Sequence, residues 1–326
     1  MKVAALGRTR FLYDAIKLLH QNGHQIALIG TCKEAPDYDI KAPDFKELSG
    51  QLQAPFFNDV KINSPEVINI LKNANSDIAI SVNWPTIIGD AAINIFPYGI
   101  LNAHAGDLPR YRGNACPNWA ILEAEEKIGI SIHKMVPNEL DCGDIILKEF
   151  IPIDRSTRVG EIYDALGEKI PKMFLRAADG LADGSIKPQA QEKTGTQRCY
   201  PRRPSDALIR WENSAESILR LINASSLPFA GAYTYFNMEK LTIWRADTQE
   251  LECQSLYIPG QVVFSDKKTG YVGIAAKDGV VVLQEIQLEN NQKASPCTVI
   301  KSSRDRLGMN VEDELYLLKK RICDIT

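Results

Sequence analysis

Two polar side chains end a predicted strand in the stretch "GILNAH" at residues 99–104. Successive side chains of a strand point to opposite faces, so Asn102 and His104 share one face and Ala103 takes the other. A neutral imidazole exchanges protons near pH 7, and an amide N–H stabilises negative charge that develops on a carbonyl oxygen. The pair therefore has the chemistry that acyl transfer requires.

A carboxylate follows in the loop "PNELDCG" at residues 137–143. Asp141 in this loop could orient the histidine ring, although aspartate in a tight loop often only caps the turn. The chain has no GxSxG segment, and no sequence feature marks Cys116 or Cys142 as an activated thiol. The attacking nucleophile therefore belongs to the substrate. His133 could pack within its strand or line the same pocket.

Short apolar strands alternate with helical patterns over the first hundred residues, as in "KVAALG", "QIALIG" and "DIAISV". This alternation predicts an α/β fold with a Rossmann-like, mostly parallel sheet. Ligands of such sheets bind at the carboxyl ends of the strands, where Asn102 and His104 fall. The first strand ends in Gly7 and not in a GxGxxG segment, so we set a dinucleotide site aside. The helix after it has the predicted apolar face Phe11, Ala15, Leu18 and Leu19.

The pattern changes in the second half of the chain. We predict a catalytic domain at 1–182, a linker and connecting helix at 183–226, and a C-terminal domain at 227–326. The linker is rich in Gly, Pro and polar residues, and the last domain contains short strands separated by turn signals. This pattern favours a small β-barrel of the OB-like type followed by a helical tail.

Composition limits the function. The 326 residues are 44% hydrophobic and 24% charged, with a net charge of −3, which argues against a protein that mainly grips nucleic-acid phosphates. No apolar run has the length of a membrane span, and charges interrupt the first residues before a signal peptide could form. The seven cysteines are scattered and include no CxxC pair, which disfavours disulfides and a zinc site. We expect a soluble cytoplasmic protein with no metal and no membrane partner.

Two segments around these polar residues resemble the N10-formyltetrahydrofolate-dependent formyltransferase family. "NAHAGDLPRYRG" at 102–113 is similar to its N-x-H followed by LP-x-[YW]-RG, and "LDCGDII" at 140–146 is similar to its LD-x-GD segment. The resemblance continues through 203–236 into the C-terminal domain. It implies N10-formyltetrahydrofolate as the formyl donor and no metal.

The resemblance also assigns roles to residues of this chain. It implies a catalytic triad of Asn102, His104 and Asp141, in which Asn102 and a protonated His104 stabilise the oxyanion and Asp141 raises the histidine pKa. The implied folate pocket comprises Thr86, Ile87, Ile88, Asn114, Pro137, Asn138, Glu139 and Leu140. For the acceptor we assign Arg110, Tyr111, Arg112 and Asn118.

The acceptor amine divides the family into branches. The stretch "YRGNACPNWAILEAEEKIGISIHKM" resembles nucleotide-sugar N-formyltransferases, and Asn118 and Trp119 match their N-W pair. Methionyl-tRNA formyltransferases resemble the chain in length and in the C-terminal β domain, but they usually show a G-T-P-x-F start and a basic loop. Here the start is "ALGRTRF" and the loop "TCKEAPDYDIKAPDF" has mixed charges. We therefore expect a nucleotide-linked amino sugar as acceptor and no nucleic-acid partner, with methionyl-tRNA as the alternative.

Other possibilities remain open at this point. A formyltetrahydrofolate hydrolase would use the same triad with water as acceptor, and a folate-binding protein would turn nothing over. The family often has G-S after the histidine, whereas this chain has Ala105, Gly106 and Asp107, and the extra carboxylate could bear on the choice of acceptor. An apolar surface on the C-terminal domain or on the neighbouring helices could support a homodimer.

Overall fold

A computed structural model describes residues 1–35, 38–250, 256–308 and 311–325. The chain forms two compact units, the first from Met1–Ala120, Glu125–Asp154 and Glu161–Pro201 and the second from Ile121–Ala124, Arg155–Gly160 and Arg202–Thr326. The domain boundaries at 182 and 226 stay predictions. Cys253, and Pro36 and Asp37 of the mixed-charge loop, lie outside the described residues, whereas the six described cysteines are not joined in disulfides.

The described part of the first unit contains a seven-stranded sheet with the order β3-β2-β1-β4-β5-β7-β8. Strands β1 to β5 run parallel to one another, and β7 pairs antiparallel with both β5 and β8. This topology confirms the predicted mostly parallel α/β fold. A separate short pair joins β6 to β9. The strands are β1 (Lys2–Gly7), β2 (Gln25–Thr31), β3 (Phe56–Asn58), β4 (Ile78–Val82), β5 (Ile100–His104), β6 (Arg112–Gly113), β7 (Lys127–Lys134), β8 (Ile145–Pro152) and β9 (Arg198–Cys199).

Helices separate these strands. They are α1 (Arg10–Gln21), α2 (Ala42–Gln51), α3 (Pro65–Asn73), α4 (Asp90–Ile93), α5 (Cys116–Leu122) and α6 (Val159–Ala182). The start of α3 has Ser64 as N-cap, whose hydroxyl accepts from the Val67 N–H, and Pro65 at the first helical position. No helix among the described residues has the length and apolar character that crossing a bilayer requires.

The apolar face of α1 differs in part from the prediction. Its buried residues are Leu12, Ala15, Ile16 and Leu19, whereas Phe11 and Leu18 are only half-buried. All four buried positions lie on one side of a helix with 3.6 residues per turn. The predicted face is therefore rotated about the helix axis relative to the buried one. Hydrophobic residues flank the buried stripe on both sides, so the sequence pattern alone does not define its centre.

Within the residues that the structure describes, the second unit has a five-stranded antiparallel sheet in the order β10-β11-β14-β13-β12, which confirms the predicted C-terminal β domain. Helix α7 packs against β11, and the apolar core includes Trp211, Ile222 and Leu283. The bounds are α7 (Ala215–Ser225), β10 (Ala232–Phe236), β11 (Glu239–Gln249), β12 (Val262–Asp266), β13 (Tyr271–Ala275), β14 (Val280–Leu288), α8 (Pro296–Val299) and α9 (Val311–Ile325), with a 3-10 turn at Pro204–Ala207.

Candidate active site

A cavity of about 640 Å³ opens in the first unit where β4 and β5 end. Its lining includes Val82 and Asn83 at the end of β4, and Asn102 and His104 at the end of β5. The volume lies within the range of about 300–1,000 Å³ that is usual for small-molecule sites. The cavity therefore occupies the edge of the sheet at which the sequence predicts a site.

Four polar side chains meet at this edge. His104 Nδ1 lies 3.6 Å from Asp141 Oδ2, and His133 Nε2 lies 3.4 Å from Asp141 Oδ1. Asn102 Nδ2 is 3.2 Å from His133 Nε2. The structure thus brings the three predicted catalytic residues together and adds His133, which lies both within its strand and in the cavity wall.

The loop that carries Asp141 is fixed by backbone contacts. Asp141 has a φ of 52°, and its Oδ2 accepts a hydrogen bond of 2.9 Å from the Gly113 N–H. Gln191 Nε2 donates to the carbonyl oxygens of Asp141 and Gly143 at 2.8 and 2.7 Å. Burial opposes ionisation of this carboxyl, but the imidazoles of His133 and His104 and the Gly113 N–H outweigh it and lower the pKa of Asp141 to about 2. Asp141 is a carboxylate at any pH used for an assay.

The ring of His104 is buried between the Tyr111 carbonyl oxygen and the Asp141 carboxylate. Its Nε2 lies 2.6 Å from the Tyr111 carbonyl oxygen, which can only accept, so this nitrogen carries a hydrogen. Burial lowers the pKa of His104, and the charge of Asp141 and the bond to Tyr111 only partly oppose that effect. The neutral ring therefore dominates at pH 7, unlike the protonated ring that the resemblance implies. Cys116 also lies beside it, but burial raises the pKa of this thiol far above neutrality.

Gly106 makes room for the histidine ring. A Cβ at this position would lie 2.4 Å from His104 Nε2 and 2.3 Å from the Tyr111 carbonyl oxygen. Substitution Gly106→Ala therefore forces the ring or the 106–111 loop to move, and a displacement of about 1 Å at a reacting group costs about 10²-fold in rate. We expect a loss of about that size in kcat, measured as the steady-state turnover rate.

Gly50 provides the matched control for this substitution. It lies in α2, and beyond the adjacent residues and the helix's own backbone no described heavy atom lies within 4 Å of the position that a Cβ would take there, so Gly50→Ala should leave kcat unchanged. Full activity of Gly106→Ala would show that the contact between Gly106 and the His104 ring does not matter for the reaction.

The residues assigned to folate lie mainly in two loops of the cavity. Seven of the eight line it, and Pro137 does not. Asn63 holds the first loop, because its side chain bonds the Ile87 carbonyl at 2.9 Å and the Gly89 N–H at 2.7 Å. Asn138 in the second loop has a φ of 60° and lies 3.4 Å from Asp90. The seven lining residues are Thr86, Ile87, Ile88, Asn114, Asn138, Glu139 and Leu140.

The residues assigned to the acceptor lie beside the cavity and not in its lining. Arg110 and the Tyr111 hydroxyl both contact Glu125, and Arg112 donates to Gln191 Oε1 at 2.8 Å. Asn118 is buried in α5. Their roles toward an acceptor remain predictions.

Asp107 is directed away from the cavity. Its carboxylate forms an ion pair of 2.9 Å with Lys148, and it lines a small separate pocket with Gly129. The extra carboxylate of the A-G-D segment therefore supports the loop, and it is not among the residues that line the site.

Three residues that shape the site were not identified from the sequence. Gln191 and Arg198 belong to the stretch that we interpret as a plain linker, yet β9 pairs with β6 and brings Arg198 to the cavity lining. Gly106 lies inside the family motif, but only the structure shows which ring it accommodates. A short polar strand such as β9 has no periodicity by which it could have been found.

Comparison with known families matches both halves of the chain. Residues 1–178 match the family described as formyl transferase, and residues 202–304 match the formyl transferase C-terminal domain. The chain is 30% identical over 298 residues to a methionyl-tRNA formyltransferase of Pelotomaculum thermopropionicum, which covers 90% of this chain and 93% of the relative. One from Sulfurihydrogenibium is 29% identical over 96% of this chain and all of the relative.

Solved structures share the fold at lower identity. HypX from Aquifex aeolicus, crystallised with tetrahydrofolic acid, has a TM-score of 0.62 at 18% identity over 93% of this chain, and this chain spans about half (47%) of its length. The sugar 3N-formyl transferase WlaRD has a TM-score of 0.61 at 18% identity over 90% of this chain and 99% of its own. At such identities the likeness concerns the fold alone.

The comparisons correct the predicted acceptor. Curated relatives that match nearly the whole chain at 27–30% identity are methionyl-tRNA formyltransferases, whereas sugar N-formyltransferases match as structures at 16–18%. The expectation of a nucleotide-linked amino sugar, and of no nucleic-acid partner, was therefore wrong. That expectation relied on the N-W pair, on the start and the loop that differ from those of the tRNA branch, and on the whole-chain charge. The whole-chain charge does not report the local surface that an acceptor meets.

Proposed function

Because the chain belongs to the formyl transferase family, we propose that it transfers a formyl group from N10-formyltetrahydrofolate to the amino group of methionyl-tRNA. Family membership confirms the predicted enzyme class and its tetrahydrofolate-linked donor. The observation that supports methionyl-tRNA as the acceptor is the match to methionyl-tRNA formyltransferases over 90% or more of this chain. We extend to this chain what their names state of them.

The cavity has the chemistry to hold the donor. One part of its lining is apolar, including Ile88, Ile93 and Leu166, and the loops at 83–88 and 136–141 add polar side chains and backbone groups. A flat ring system with polar edges fits such a lining. Thr86, Ile87, Ile88, Asn114, Asn138, Glu139 and Leu140 would hold it. When bound, the donor supplies a formyl carbon attached to nitrogen.

The triad then has distinct tasks. Asn102 donates an N–H toward the oxygen on which negative charge develops during attack by the amine. His104 is neutral, with its hydrogen on Nε2, so the nitrogen free to take the amine proton is Nδ1. Nδ1 lies 3.6 Å from Asp141 Oδ2, so the negative charge of this carboxylate stabilises the imidazolium that forms when Nδ1 takes the proton. His104 can next deliver this proton to the leaving nitrogen.

The edge of the cavity offers contacts for a nucleotide. Among the described residues that line the cavity, Arg198 is the only lysine or arginine. Its guanidinium lies 5.2 Å from the centre of the Tyr200 ring, and this tyrosine is 63% exposed. The Trp119 indole N–H holds the Tyr200 carbonyl at 3.0 Å. Arginine pairs with phosphate, and an exposed aromatic ring stacks on a base, so this pair suits the acceptor end of tRNA.

Substitution Arg198→Ala tests that contact. We expect KM for methionyl-tRNA to rise about tenfold, the effect of losing one charge-assisted hydrogen bond, with KM for the donor unchanged. The slope of log kcat/KM against log salt should fall by about one unit, because one phosphate contact is removed. Steady-state kinetics between low and moderate salt give both values.

Arg176→Ala serves as the control for the loss of a positive charge. Arg176 lies on α6, where it pairs with Glu149 and does not line the cavity. The Arg176→Ala substitution should leave KM for the donor, KM for methionyl-tRNA and the salt dependence of kcat/KM unchanged. If Arg198→Ala instead raised KM for the donor alone, Arg198 would bind the folate and not the acceptor.

The deciding experiment for the function compares acceptors directly. The protein is incubated with N10-formyltetrahydrofolate and initiator methionyl-tRNA, a panel of nucleotide-linked amino sugars, or no acceptor, and tetrahydrofolate release and product mass are measured. Formyl-methionyl-tRNA as the product supports the proposal. An unmodified tRNA beside a formylated small amine, or release of tetrahydrofolate and formate without acceptor, would overturn it. A cytoplasmic location stays part of this proposal.

A further inference from the structure

His133 is a buried histidine that the triad does not include. It is the residue directly opposite Asn102 in the antiparallel pair of β5 and β7, so the two side chains lie on one face of the sheet. Only 1% of His133 is exposed. Its ring contacts two members of the triad, Asn102 at 3.2 Å and Asp141 at 3.4 Å. A charged or polar ring in this place needs a reason beyond filling space.

The hydrogen bonds of the ring define its tautomer. Nδ1 of His133 lies 2.9 Å from the Lys134 carbonyl oxygen. A carbonyl oxygen can only accept, so Nδ1 carries the hydrogen, and Nε2 of the neutral ring has a lone pair and no hydrogen. The shorter of the two Nε2 contacts is the one to Asn102 Nδ2, which is a donor. The contact of Nε2 with Asp141 Oδ1, at 3.4 Å, is the longer of the two.

This lone pair distinguishes the two ends of the Asn102 amide. With Nδ2 toward His133, one N–H is bound by the ring and the second remains available to a ligand in the cavity. With the amide turned over, Oδ1 would face the lone pair of Nε2, and the two would repel each other. A side chain that must donate to a developing oxyanion needs the first orientation.

We propose that His133 is a positioning residue, which holds the Asn102 amide with an N–H directed to the reacting carbonyl oxygen. The inference rests on the proposed formyl transfer but not on the identity of the acceptor. His133 itself neither takes nor delivers the transferred proton in this arrangement. Its effect on the rate passes through Asn102.

Substitutions that keep or remove the acceptor atom test the role. His133→Leu removes Nε2, and we expect kcat to fall about tenfold, as for one lost hydrogen bond, while KM for both substrates changes less than about twofold. His133→Gln places an amide oxygen near the Nε2 position and should restore kcat to within about threefold of wild type. Thermal unfolding checks that each variant is folded.

A double-mutant cycle separates positioning from a general structural effect. In an Asn102→Ala background, His133→Leu should cost less than about a further twofold, because the group through which it acts is gone. A further loss as large as in the wild-type background would overturn the proposal, and so would a His133→Gln variant as slow as His133→Leu. If His133→Leu does not fold, His133→Ala, which also removes Nε2, gives the same comparison in the two backgrounds.

The measurement stays informative if the proposed acceptor is wrong. All rates are taken as tetrahydrofolate release with whichever acceptor the wild-type protein formylates. An unmodified methionyl-tRNA would then overturn the proposed function alone, whereas the cycle between His133 and Asn102 would still decide the positioning role.

Discussion

We expect His104→Ala to lower kcat for formyl transfer by about 10³-fold and to leave KM for both substrates within about threefold. The ring is the one group of the triad that can take the amine proton, and general acid–base catalysis contributes about 10²–10⁴-fold. Its removal also eliminates the imidazolium that forms during proton transfer and that Asp141 stabilises. Single-turnover and steady-state rates of formyl transfer, each at saturating donor, give the size of the loss.

His20→Ala controls for the loss of an imidazole as such. His20 is exposed on α1 and does not line the cavity, so its removal should leave kcat unchanged. A His104→Ala protein with the wild-type unfolding temperature and the wild-type rate would remove His104 from the mechanism and with it the proposed proton transfer.

Asp141→Asn is expected to lower kcat by about 10²–10³-fold and to shift its pH dependence. In the wild type the neutral His104 is the active form, and burial lowers its pKa, so kcat/KM falls on acidification only below the usual histidine pKa of 6.5. The carboxylate of Asp141 opposes that lowering. Without its charge the pKa of His104 falls further, so the acid limb of the profile moves to still lower pH while the plateau drops.

The sign of this shift is the informative part. Asp141 has a pKa of about 2, so it does not itself titrate in the range of the assay. Asp144→Asn, an exposed carboxylate in the same loop, should leave both the plateau and the acid limb in place. An acid limb that moves to higher pH in Asp141→Asn would contradict the pairing of Asp141 with His104.

The fold of the first unit could be predicted because its strands are short, apolar and bounded by glycine or proline. The runs at 2–7, 25–30 and 77–82 coincide with β1, β2 and β4 within a residue. β3 and the β6–β9 pair could not be found, because two or three residues carry no measurable periodicity. Such strands exist only through their hydrogen bonds to neighbours that are distant in sequence.

The part of the site that lies on a single strand, β5, could be predicted from the sequence. Asn102 and His104 share a face of β5 by period alone, and the resemblance adds Asp141. The position of His133 could not be predicted, because it depends on the register between β5 and β7, and a slip of one residue would turn it to the other face. The lowered pKa of His104 also depends on burial, which a sequence does not display.

The acceptor was misjudged for a physical reason. A net charge of −3 is a sum over the whole surface, whereas a nucleic acid meets only a local part of it. Arg198 beside the exposed ring of Tyr200 is one such local feature. Recognition of the acceptor therefore has to be argued from the edge of the cavity and not from the composition.

The pairing of β9 with β6 has a consequence for how the protein is made. Asn102, His104 and Asp141 have all left the ribosome before Gln191, which bonds the Asp141 loop, and Arg198, which completes the cavity lining. A nascent chain or a fragment that stops at residue 182 would contain the entire triad and still lack these supports. The catalytic residues are thus synthesised well before the segment that fixes them in place.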